Sequence, residues 1–304
     1  MDEKIVSLLD EAANSLKQLY HLEILDCDNP NSHNIFDNKY KIRGILVSIA
    51  EKAKTLIPSG DLDVILLWGF FTAKLANNFI ETEEPKAEAR SRLLEITKFF
   101  DSRWNSKNED EILKFSGLLQ YTYNSLAVAT EIDSKDEYKS SLFWLTKAQT
   151  VYRDFKSEMG DLRGPECWET LAVLSTSTSE YTQVKKIIFE TGYTTTLFML
   201  AQVSSNTDEK QKSAEYCRET LCRQLRFASE VDKLLTDYGV ANQRMDKVKN
   251  AEESVAILPS DWLVASLQRF DPKDWANNTA SLSEFYTEIG SNIGALECLM
   301  TAKT

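Results

Sequence analysis

The sequence predicts an all-α protein built from antiparallel helix pairs, and three observations carry that prediction. Its 304 residues include only 10 glycines and 6 prolines, too few for the turns and phosphate loops of a sheet-rich or dinucleotide-binding fold of this size. Apolar residues recur at spacings of three and four through most of the chain, which is the period of an amphipathic helix. Short polar turns separate these stretches, so successive helices run antiparallel. The composition, 42% hydrophobic and 27% charged, is that of a globular chain and excludes disordered, collagen-like and disulfide-scaffold classes.

Each element has its own signal. Ile5, Leu8, Leu9, Ala12, Leu16, Leu19 and Tyr20 fall on one face of a first helix, which closes in the Asn-Pro run of DCDNPNSHN. A second helix covers Lys39 to Leu56 and stops at IPSGD. The following DLDVILLWGFFTAKLANNFIE is apolar on more than one face and is expected to lie between neighbours. Pro85 suits the start of the next helix, PKAEARSRLLEITKFFDSRW. EDEILKFSGLLQYTYNSLAVATEI and KDEYKSSLFWLTKAQTVYRDFKSEM follow, joined by the turn DSKDE. The Gly, Pro, Ser and Thr content of 160–180 predicts a linker with a short helix. Helical pairs resume with VKKIIFETGYTTTLFMLAQVSSN and DEKQKSAEYCRETLCRQLR, and a last pair is DWANNTASLSEFYTEIG with NIGALECLMTA.

Paired helices of this length predict an α-solenoid. The second helix of each pair carries a small residue early in its stripe: Ala89, Ser141, Ala214 and Ala295. Ala127 and Ala201 mark the first helices. A side chain no larger than alanine lets the two helices of a repeat approach closely, which is the logic of the tetratricopeptide (TPR) repeat, although its full W-L-G-Y signature is absent. The expected fold is a TPR-like α-solenoid. It divides into pairs over 1–159, a linker over 160–180, a pair over 181–226, an atypical insertion over 227–270 and a pair over 271–304.

Charge and chemistry narrow the function. A net charge of −12 repels phosphate backbones and anionic lipid, so the expected partner is a basic protein surface, with no nucleic acid and no membrane insertion. The acidic amphipathic N-terminus is not a signal peptide, and Val64 to Phe71 is far too short to span a bilayer. Cys27, Cys167, Cys217, Cys222 and Cys298 contain no C-x-x-C and are expected as reduced thiols of a cytosolic protein. Cys217 and Cys222 lie on different sides of one helix, so they are no ligand pair.

There is no phosphate loop, G-x-S-x-G or H-E-x-x-H. ETEEP and NEDE sit at helix starts, where carboxylates favour the macrodipole. His21 is expected on a partly buried helix face with no catalytic partner, and Asn277-Asn278-Thr279 lies within a helix rather than at a glycosylated loop. Trp68, Phe70, Phe71, Tyr121, Tyr123, Phe143 and Trp144 are expected as core aromatics. No enzyme, cofactor or metal is expected.

LFMLAQVSSNTDEKQKSAEYCRETLCRQL (197–225) resembles the fourth-repeat region of the KIF-binding protein family, TPR-like proteins that bind kinesin motor domains. It shares the order L-A-Q-V, small-x-x-C, T-L and R-Q-L. DPKDWANNTASLSEFYTEIGSNIGALECLMTA (271–302) resembles the next pair in its P-x-x-W-A-x-N, S-x-F-Y and A-x-x-C-L pattern. ANNFIETEE, LQYTYNSLAVA and VYRDFKSEMG resemble earlier repeats. The resemblance implies a right-handed TPR-like α-solenoid, a cytoplasmic, cytoskeleton-associated adaptor that clamps kinesin motor domains on its concave face and blocks their microtubule attachment. Roles in mitochondrial transport and axon growth go with it.

Carried over by motif, the resemblance implies partner contacts at Gln202 of LAQV and Gln224 of RQL. Met199 stands where the family usually has Tyr, and Ser281 and Glu284 where it has Thr and Gln. Three departures matter. Arg226 to Phe270 is an extra stretch in which PSDWLVASLQRF echoes PKDWANNTASLSEF. The family is longer, so the chain is expected to be its N-terminal half or a truncated relative, exposing Leu296, Leu299 and Met300. The first 35 or so residues match only as an amphipathic helix. The alternative is a generic TPR scaffold that binds a peptide or co-chaperone tail, but the A-helices lack the basic set of a carboxylate clamp.

Overall fold

A computed structural model describes residues 2–28, 36–82, 84–102, 108–130, 135–167, 180–237 and 272–303. Ten α-helices occupy them: α1 (Glu3–Asp28), α2 (Asp37–Leu56), α3 (Leu62–Glu81), α4 (Lys86–Asp101), α5 (Glu109–Ala129), α6 (Lys135–Met159), α7 (Glu180–Asn206), α8 (Lys210–Asp237), α9 (Pro272–Glu288) and α10 (Asn292–Lys303). No strand occurs among the described residues. Each helix packs chiefly on its neighbours in sequence, and the odd-numbered helices α1, α3, α5 and α7 also line up side by side. This is an α-solenoid of helix pairs, as the periodicity predicts.

The helix boundaries follow from side-chain chemistry. Asp61 caps α3 by accepting from the backbone N–H of Asp63 at 2.9 Å and of Val64 at 3.1 Å. Asn108 does the same for α5 through the N–H groups of Asp110 and Glu111. Such caps satisfy the orphan donors of a first turn. Gly290, with φ of 77°, lets the chain turn left-handed between α9 and α10, which a side chain would resist.

The small residues sit where close approach requires them. Ala89, Ser141, Ala214 and Ala295 are all buried, and Ala127 and Ala201 with them. Ser141 Oγ donates to the Ala127 carbonyl of its partner helix at 3.4 Å, and Ser213, next to Ala214, donates to the Ala201 carbonyl at 2.8 Å. Hydroxyls touching backbone across the pair show how near the two axes lie.

An ionic cluster fixes α7 against its neighbours. Glu190 of α7 is only 3% exposed. Its carboxylate pairs with Lys156 of α6 and Arg223 of α8 and accepts from Tyr152 of α6 at 2.8 Å. Arg223 also donates from Nε to Thr194 Oγ1 at 3.3 Å, while Tyr152 and Tyr193 stack with centroids 3.6 Å apart. Burial alone would raise the Glu190 carboxyl, but Lys156, Tyr152 and Arg223 outweigh it and hold the group below the usual glutamate range. At the other end, Arg43 of α2 donates to Asn78 at 3.0 Å and Glu84 at 3.1 Å and lies 4.5 Å over the Phe79 ring.

Three features depart from or extend the sequence reading. Helix α8 does not end near Arg226; it continues to Asp237 because Phe227 and Val231 remain buried and Glu230 pairs with Lys186 of α7 at 3.0 Å. The start of the 160–180 linker packs against the helices. Gly164, Pro165 and Cys167 are buried, and Glu166 N donates to the Leu113 carbonyl of α5 at 2.8 Å. Two side chains lie elsewhere than expected: His21 is exposed rather than partly buried, and Phe143 is 51% exposed rather than in the core, its ring resting on Trp144 and Lys147 at the surface. Residues 168–179 of the linker expected to hold a short helix, and 238–270 of the extra stretch with its echoing segment at 259–270, lie outside the described residues.

Candidate partner-binding face

The alignment of α3, α5 and α7 creates a groove of about 310 Å3 on the face formed by the first helices of each pair. Its walls combine apolar side chains, among them Phe70, Val128 and Met199, with the amides Asn77, Gln120 and Asn124. Asn77 Nδ2 donates to Tyr121 Oη and to Ser125 Oγ, the latter at 3.0 Å, and so ties α3 to α5. Asn124 Nδ2 donates to the Gly192 carbonyl at 3.1 Å, and its Oδ1 accepts from Thr196 at 2.9 Å, tying α5 to α7. Pro165 and Cys167 form part of the base, where Lys185 pairs with Glu166 at 2.7 Å.

The residues singled out in the sequence fall into separate places. Met199 lines the groove and packs against the Tyr193–Leu200 side of α7. Gln202 is exposed three residues on, so Thr195, Met199 and Gln202 form one stripe at helical spacing. Gln224 is exposed on α8, beside the inward-turned Arg223. Ser281 and Glu284 are exposed on one face of α9. That helix packs on α8, where Trp275 Nε1 donates to the Leu221 carbonyl at 2.9 Å.

Only Met199 and Gln202 therefore share a surface with the groove. Among the described residues, Gln202, Gln224, Ser281 and Glu284 engage no side-chain hydrogen bond or ion pair. Exposed amides and hydroxyls of this kind are free to meet a partner.

The groove amides were not singled out from sequence. Their signal lay in LLQYTYNSLAVA, where Gln120, Thr122, Asn124 and Ser125 interrupt an apolar helix and yet are all buried. Burial raises the Cys217 and Cys298 thiols, and burial with the nearby Asp101 charge pushes Tyr123 up to about 12. Cys167, Cys217, Cys222 and Cys298 form no disulfide, and the described residues hold no His/Cys/Asp/Glu group suited to a metal. No described helix is long and apolar enough to cross a membrane.

No protein-family model matches the chain. Curated relatives do. KIF-binding protein of Danio rerio is 26% identical over 229 residues, covering 75% of this chain and 28% of its own length. KIF-binding protein of Gallus gallus is 21% identical over 268 residues, covering 88% of this chain and 36% of its own length. KIF-binding protein of Homo sapiens is 23% identical over 239 residues, covering 73% and 32%. The chain thus spans about a third of the length of the curated relatives it matches. The crystal structure of BtubC (BKLC) from P. vanneervenii shares the helical fold, with a TM-score of 0.50 over 99% of this chain and 89% of that one at 11% identity. The resemblance read from the motifs at 197–225 and 271–302 is therefore a similarity to KIF-binding proteins over most of this chain, on a solenoid of helix pairs.

Proposed function

We propose that this chain is a non-enzymatic, cytoplasmic adaptor that binds kinesin motor domains through a concave TPR face to which α7, α8 and α9 contribute. The observation that carries the reading is the similarity to KIF-binding proteins across 73–88% of the chain in three vertebrates. The groove beside Met199 and Gln202 gives that similarity a surface on which to act. A motor surface that meets acidic tubulin is basic, and a chain of net charge −12 offers it a competing field. Occupying that surface would keep the motor off the microtubule and so restrain transport, including that of mitochondria and in growing axons. No catalytic step is required.

The contacts proposed are Met199, Gln202, Gln224, Ser281 and Glu284. Glu284 adds a charge suited to a basic helix. A carboxylate clamp for co-chaperone tails finds less support, because Lys185, the cation among the groove residues, already pairs with Glu166.

The test is capture of purified kinesin motor domains by the chain, with microtubule co-sedimentation in parallel and salt varied. Capture that weakens with salt, strips motors from microtubules and falls about tenfold in Gln202→Ala/Gln224→Ala is the expected result. Failure to capture any motor, both alone and when fused to the remaining length of a relative, would sink the proposal.

A further inference from the structure

Helices α4 and α6 both pack on α5 but barely on each other. A second groove, of about 590 Å3, lies there and shares no lining residue with the one beside Met199. Asp101 of α4, Tyr123 of α5 and Phe143 and Lys147 of α6 line it.

The Lys147 ammonium is caged in this groove. It lies 5.5 Å from the Tyr123 ring centroid, 5.2 Å from that of Phe143 and 5.7 Å from that of Trp144. It also donates to Asp101 Oδ1 at 3.2 Å. The rings hold one another, because Trp144 stacks on Tyr123 at 6.0 Å and meets Phe143 edge-on at 4.8 Å. Aromatic faces are negative, so three of them beside a carboxylate form a site for a cation and repel an anion. Lys139 and Asp154 also line the groove and offset each other in charge.

The resident lysine is loosely held. Its side chain is 32% exposed and that of Asp101 56%, and an ion pair so open to water adds little to the fold. Phe143 stands half in solvent, where its ring forgoes the gain of burial. An open aromatic face beside a weakly held cation is a site that can exchange its occupant. Arginine is the side chain suited to the exchange. Its guanidinium is planar, stacks on aromatic faces, pairs with both oxygens of a carboxylate and is more weakly hydrated than an ammonium. We propose that this groove binds an arginine side chain of a basic partner protein, with the guanidinium in the cage of Tyr123, Phe143 and Trp144 and Lys147 displaced. The net charge of −12 favours the approach of such a partner.

The experiment uses the full chain and acetyl-arginine methylamide, followed by the Trp144 indole resonance in 15N–1H spectra. The citrulline and lysine analogues serve as comparators. Lys147→Met removes the resident charge and keeps an apolar stem, and is expected to bind the arginine probe about tenfold tighter than the parent. Adding Phe143→Ala is expected to reverse that gain, with Phe143→Leu as the substitute if the alanine variant does not fold. The lysine analogue is expected to bind more weakly than arginine, and citrulline to leave the resonance unmoved. No gain in Lys147→Met, or no loss in the folded Phe143 variants, overturns the proposal. Equal binding of citrulline overturns the cation site, and equal binding of lysine overturns the choice of arginine. None of these arms contains kinesin and the residues differ from those proposed for it, so failure here and failure of the kinesin reading are told apart.

Discussion

Helices α3 and α10 are both rich in large apolar side chains, but they live in different surroundings. α3 buries residues on every face, from Val64 through Phe71 and on to Asn78. α10 buries Ala295 and Cys298, while Ile293 is 77% exposed and Leu296, Leu299 and Met300 are exposed too. The difference lies in neighbours rather than residue type. α3 packs on α2, α4 and α5, whereas α10 has α9 as its main partner among the described residues. In a solenoid the contribution of an apolar residue is set by how many helices flank it.

That contrast can be broken most forcefully at its buried end. Trp68→Ala or Phe71→Ala should cost about 3–5 kcal/mol, read from denaturant midpoints, because neither cavity can collapse between three helices. Glu190→Gln should cost about 3 kcal/mol at neutral pH, since it leaves Lys156 and Arg223 buried without their counter-charge. Its pH dependence sharpens the test. A carboxyl held low in the folded state adds stability above the unfolded value, about 4.3, and loses it as pH falls through the folded value. Melting curves of the parent and Glu190→Gln should therefore converge on acidification.

Glycine positions give an intermediate effect with opposite signs. A Cβ at Gly117 would lie 2.6 Å from the Glu166 carbonyl oxygen. That backbone is itself tied to α5, so Gly117→Ala should lose about 1–3 kcal/mol. Gly44, within α2, has nothing within 4 Å of a Cβ, so Gly44→Ala should gain about 0.5–1 kcal/mol in the same denaturation assay. At the exposed end, Leu296→Ala should stay within about 0.5 kcal/mol. A large loss there would show that α10 is covered in solution and would undo the contrast.

What could be read in advance was whatever rests on period and size. The stripe from Ile5 to Tyr20, the all-round burial of α3 and the small residues Ala89, Ser141, Ala214 and Ala295 are consequences of helix geometry, and helix geometry is local. The continuation of α8 past Arg226 was harder, because it depends on Phe227 and Glu230 meeting α7. The buried Glu190 looked like any charge in KKIIFET, and its partners lie far off in sequence on α6 and α8. For the candidate site, Met199 and Gln202 were legible through motif resemblance. The groove amides were not, because an amide's burial is a property of packing alone.

The Glu190 cluster has a consequence for how the molecule comes apart. Most contacts in this fold join neighbouring helices, so a solenoid pulled from its C-terminal end yields one pair at a time. The bond between Arg223 and Tyr152 spans 71 positions of sequence. With Lys156 and Glu190 it rivets the α5/α6 pair to the α7/α8 pair. Under tension, α9 and α10 would peel away at low force, and extension would then stall until the rivet failed. The face that carries the groove lies on the protected side of that stop.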